Sequence, residues 1–97
     1  MKLPKNLYVF GEKYSLKRVK GLAAKGICGE VNRDTKEIII DSNLKGSELH
    51  ETIIHEVGHC VFHEVSLYQS ISHDLEEVIV DTIAKALAKN FDLRAKK

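Results

Sequence analysis

The chain has 97 residues, 43% hydrophobic and 30% charged, which is the ordinary composition of one small globular domain spanning 1–97 and leaves no room for a second. Fifteen Lys/Arg stand against fourteen Asp/Glu, a net charge of +1, so no global field exists to recruit nucleic acid or an anionic membrane. No apolar run approaches the roughly 18 residues of a bilayer-spanning helix, and the Met1–Asn6 start lacks the apolar core of a secretory signal, so a cytoplasmic location is expected.

The charge is unevenly placed: residues 1–45 carry ten basic and five acidic side chains, and 46–97 carry five and nine. Internal complementarity and a solvated face account for this before any partner does. Two cysteines, Cys28 and Cys60, are too few for a disulfide framework and lie in apolar contexts, as expected of reduced, buried thiols.

In chain order, Leu7-Tyr8-Val9-Phe10, the turn-like Gly11-Glu12-Lys13 and the alternating Tyr14–Val19 predict a β-hairpin. Gly26–Val31 and Lys36–Asp41 predict two further strands, paired antiparallel across Asn32-Arg33-Asp34-Thr35, which has turn chemistry. From Ser47 the apolar period lengthens: Leu49, Ile53, Ile54, Val57, Val61, Phe62 and Val65 form a helical stripe, with Ser47 as candidate N-cap. After a break over 66–72, a second helix is expected from an Asp74 cap to about Asn90, packing through Leu75, Val78, Ile79, Thr82, Ile83, Ala86 and Leu87. Strands first and helices second predict an α+β fold, a small antiparallel sheet of three to four strands in the N-terminal half packed against two helices.

The chemistry sits in the first helix, in His55-Glu56-Val57-Gly58-His59. Histidines four apart share a helix face, so both imidazoles can meet one ion, and the intervening glutamate is rotated into position to serve as a base instead of a ligand. A catalytic zinc wants a third protein ligand, and the second helix offers Glu76, Glu77 and Asp81. Glu77 and Asp81 are one turn apart, so one can bind metal while the other accepts the spare N–H of a ligand histidine. Glu76 projects nearer the apolar stripe, yet could also reach the ion.

With these motifs, over about residues 30–90, the sequence resembles the gluzincin class of HExxH zinc metallopeptidases, and more closely the compact, often phage-encoded ImmA/IrrE-like family. The resemblance implies a minimal zincin-like fold, one zinc per chain on His55, His59 and Glu77, general base Glu56, and Asp81 as an orienting carboxylate. The implied activity is endopeptidase cleavage of a protein or peptide. By the same analogy the strand before the helix, Glu37 to Asp41, lines the substrate cleft as an exposed edge, and Gly58 lets the helix backbone pass close to it. Tyr68 or His73 could supply a donor to a developing oxyanion.

His63 extends the histidine series but lies about 12 Å along the helix from His55, too far for a shared ion, and is expected at the helix end. Two alternatives stand beside this reading: a non-catalytic, zinc-stabilised protein-binding module, and a peptide-deformylase-like hydrolase using Cys28 as third ligand. Cys60 points off the metal face and is expected in the core.

Overall fold

A computed structural model of the chain describes residues 3–65 and 70–90, and shows the α+β arrangement. The strands are β1 (Asn6–Val9), β2 (Glu12–Val19), β3 (Gly29–Asn32) and β4 (Glu37–Asp41), followed by helices α1 (Gly46–Glu64) and α2 (His73–Asn90). A single 3-10 turn, Ala23–Lys25, stands between β2 and β3.

β1 and β2 form the first hairpin, with Val9 opposite Glu12 and a two-residue loop of Phe10 and Gly11. Both loop residues have positive φ, 51° and 81°, the conformation whose twist matches that of the flanking strands. β3 and β4 form the second hairpin, with Val31 opposite Ile38. In its turn the Asn32 side-chain oxygen accepts the backbone N–H groups of Asp34 (3.0 Å) and Thr35 (3.1 Å).

The sheet order is β1-β2-β4-β3, and its central ladder, β2 with β4, is parallel. The sheet is therefore mixed, where the sequence predicts only antiparallel pairing. β4 is also interior instead of at the edge. Its unbroken Ile38-Ile39-Ile40 run suits a strand bonded on both sides, whereas the short β3, with Glu30 and Asn32 exposed, makes the edge.

One face of the sheet, Val9, Tyr14, Leu16, Ile38 and Ile40, packs against Leu49, Ile53 and Cys60 of α1. Each fully buried aliphatic chain, such as Ile38 or Ile40, contributes about 1.5–3 kcal/mol relative to exposure. The Tyr14 hydroxyl, buried under this layer, donates to Glu64 at 2.5 Å. Lys36 pairs with Glu64 (3.3 Å) and with Glu12, which ties the end of α1 to both hairpins.

Helix starts differ from expectation by a residue or two. Lys45, extended and without a side-chain cap bond, precedes α1 in place of Ser47. At α2 the Ser72 hydroxyl accepts the Leu75 N–H at 3.0 Å, so Ser72 caps the helix and Asp74 lies in its first turn.

α2 packs on α1, but not through the predicted stripe. Glu76, Val80 and Ala84 are its buried residues, while Leu75, Val78, Ile83 and Leu87 are exposed, Val78 by 62% and Ile83 by 50%. The helix is rotated so that its carboxylates meet the histidines of α1. Gly58 makes that approach possible: a Cβ there would lie 2.9 Å from Cγ1 of Val80. The glycine thus admits α2, and not the strand over 37–41. No described helix is long and apolar enough to cross a membrane.

Candidate metal centre

His55, Glu56 and His59 lie in the middle of a 19-residue helix, well away from its ends, so their relative positions are fixed by the helix itself. The two imidazoles stand edge to face with ring centroids 4.9 Å apart, and their Nε2 atoms are separated by 3.3 Å. Glu77 enters from α2, with Oε1 2.8 Å from His59 Nε2 and Oε2 3.3 Å from His55 Nε2. Among the described residues these three form the group whose donor atoms converge closely enough to hold a metal ion.

The separations test the fit. Tetrahedral ligands about 2.0–2.1 Å from a zinc ion are about 3.3–3.4 Å from one another. The His55–His59 separation has this value, and Glu77 presents one oxygen, Oε2, to His55 at the same distance and the other, Oε1, to His59 about half an ångström closer. Two neutral imidazoles and one carboxylate suit zinc or a similar divalent ion.

The Nδ1 atoms face away from the cluster towards carboxylates. His59 Nδ1 lies 2.5 Å from Glu76 Oε2, and His55 Nδ1 lies 3.8 Å from Asp81 Oδ1. The Asp81 contact is beyond hydrogen-bond length, and its other oxygen pairs with Lys85 at 2.9 Å, which holds the Asp81 carboxyl below the usual range. Of the two carboxylates that face an Nδ1 atom, Glu76, and not Asp81, is thus within hydrogen-bond reach. Glu76 is 2% exposed and is paired with Arg33 at 2.7 Å.

Nothing in the turn around Arg33 marks it as part of a site. A signal for Glu76 did exist: Glu76, Val80 and Ala84 follow one another at four-residue intervals, and an acid on an otherwise apolar, buried row needs a partner.

Glu56 is 7% exposed, beside the histidines and outside the converging group. Burial pushes its carboxyl up to about 7; His55 pulls it down, and Glu77 and Glu30 push it up. Glu56 lines two clefts. The larger, about 650 Å³, also takes in His59, His73 and the edge strand β3 from Gly29 to Asn32. The smaller, about 380 Å³, includes Cys28, His55, Glu77 and Asp81.

His73, a candidate oxyanion donor, lines the larger cleft from the first turn of α2. The other candidate, Tyr68, lies outside the described residues. His63 occupies the last turn of α1, as expected. Cys60 is fully buried, and burial pushes its thiol up to about 12. Cys28 is exposed, because the 3-10 turn and Gly26 (φ 78°) occupy the start of the predicted strand and delay β3 to Gly29. Its sulfur is not in the metal-holding group.

No protein-family model, curated protein or solved structure matches the chain.

Proposed function

We propose that the chain is a metal-dependent peptidase, with one zinc or similar divalent ion held by His55, His59 and Glu77. The observation that carries this reading is the convergence of those three donors beside a buried carboxylate, Glu56, which lines both the smaller cleft, with His55 and Glu77, and the larger one, with His59 and the edge strand β3. A bound divalent ion supplies a Lewis acid and makes water acidic enough to act as a nucleophile near neutral pH. Glu56 takes the proton from the attacking water and returns it to the departing nitrogen. The edge of β3, unpaired among the described residues, can align an extended peptide by backbone hydrogen bonds, and His73 lines the same cleft. The substrate class is thus a protein or peptide in extended form.

The test pairs metal analysis with cleavage. Protein purified without added metal is assayed for zinc, then for cleavage of a mixed peptide library. Glu56→Gln is expected to keep the metal and lose cleavage, whereas Glu77→Ala loses both. Cleavage undiminished in Glu56→Gln refutes the assignment.

One observation favours a second reading, a protein-binding module stabilised by metal without catalysis. The apolar contact of α2 on α1 rests on few buried side chains, Val80 and Ala84, so an ion joining the helices would also serve the fold. A zinc-loaded chain that cleaves nothing favours this second reading.

A further inference from the structure

We infer that Arg33 is a positioning residue for His59, acting through Glu76. The inference rests on the metal-centre reading above and extends it to a residue outside both helices.

One oxygen carries the relationship. Glu76 Oε2 lies 2.5 Å from His59 Nδ1 and 2.7 Å from Arg33 Nη2. Glu76 is 2% exposed and His59 8%, so their contact is shielded from water, while the Arg33 side chain is 31% exposed. Arg33 sets a permanently charged guanidinium against that buried carboxyl oxygen. With Nδ1 donating its proton to Glu76, Nε2 of His59 presents its lone pair to the cluster it shares with His55 and Glu77.

Arg33 is itself held in place. It stands in the β3–β4 turn, whose backbone Asn32 fixes by accepting two N–H groups. The planar guanidinium and the fixed turn together limit where Glu76 Oε2 can sit, and so limit the rotation of the His59 ring. The same turn lines the larger cleft, so the wall of the cleft and the aim of a metal ligand are mechanically joined.

A merely structural pair fastening α2 to the sheet would affect folding stability without tuning the metal. The two roles separate in a double-mutant cycle read on metal binding. Zinc affinity is measured by competition with a chromophoric chelator, and cobalt(II) is bound in parallel for its visible spectrum, in the unaltered chain, Arg33→Ala, Glu76→Gln and the double variant. Each single variant is expected to lose about 10–100-fold in zinc affinity and to shift the cobalt bands, with the double variant no weaker than Glu76→Gln alone. Arg33→Lys keeps the charge without the fork and is expected to fall between.

Should Arg33→Ala fail to fold, the cycle is run with Arg33→Lys and the same criterion applies. Zinc affinity in Arg33→Ala within threefold of the unaltered chain, or losses that multiply in the double variant, overturns the inference while leaving the metal centre intact. An unaltered chain that binds no zinc overturns both.

Discussion

Gly58 of α1 and Val80 of α2 face each other across a gap with no room for a methyl group: a Cβ on Gly58 would meet Val80 Cγ1 at 2.9 Å and Cγ2 at 3.2 Å. Val80 is buried and branched at Cβ, so it has little freedom to turn aside. Glu76 and Glu77 lie about one turn before Val80, so this close approach of the helices bears on the depth at which both carboxylates reach His59.

Alanine in a helix interior is ordinarily favoured over glycine by about 1 kcal/mol. Here the sign should reverse. Gly58→Ala is expected to destabilise by about 1–3 kcal/mol through overpacking and to weaken zinc binding, with Val80→Ala in the same chain restoring part of both. Urea unfolding and chelator competition measure the two effects.

The raised Glu56 carboxyl predicts the direction of a pH effect in the metal-free protein. Its value is about 7 when folded and about 4.5 otherwise, so between those limits the folded state binds the extra proton. Stability from this group is complete below about 4.5 and is lost as pH rises through 7. Glu56→Gln should remove that slope, leaving the apo variant more stable than the unaltered chain at pH 8 by up to about 3 kcal/mol. Thermal unfolding in chelator between pH 5 and 8 gives the difference.

Removing metal should be felt across the helix pair. At a free zinc concentration about 1,000 times the dissociation constant, linkage stabilises the fold by about 4 kcal/mol. For a chain of this size that corresponds to a melting temperature higher by about 15 °C or more, lost on adding chelator. Glu77→Ala should show no such zinc-dependent rise.

The two thiols should differ in reactivity. Cys28 is exposed and should react with an aromatic disulfide reagent at the rate of a free thiol, whereas Cys60, buried and with its thiol pushed up to about 12, should react only when the domain opens. Equal rates under native conditions would contradict the position of Cys60 between sheet and helix.

Local signals in the sequence led to the right elements wherever neighbours along the chain decide the outcome. Alternation over Tyr14–Val19 and the Asn32–Thr35 turn place both hairpins, and the spacing of His55 and His59 brings the imidazoles together. Pairing between distant segments was not legible. Nothing in β2 or β4 alone states that they run parallel, or that the isoleucine run makes β4 central and leaves β3 at the edge. Apolar spacing points to Leu75, Val78 and Ile83 as the packing face of α2, whereas the structure buries Glu76 against His59 and brings Glu77 to both histidines. Arg33 is invisible to local patterns for the same reason: its partner Glu76 lies 43 positions away.

Every donor in the converging group belongs to the helical hairpin that begins at Gly46, while the strands contribute only walls and a guanidinium brace. Under the proposed reading, replacing the β3–β4 hairpin would change the cleft wall and, through Arg33 and Glu76, the setting of His59 in one stroke, so admission and ligand geometry would not drift independently.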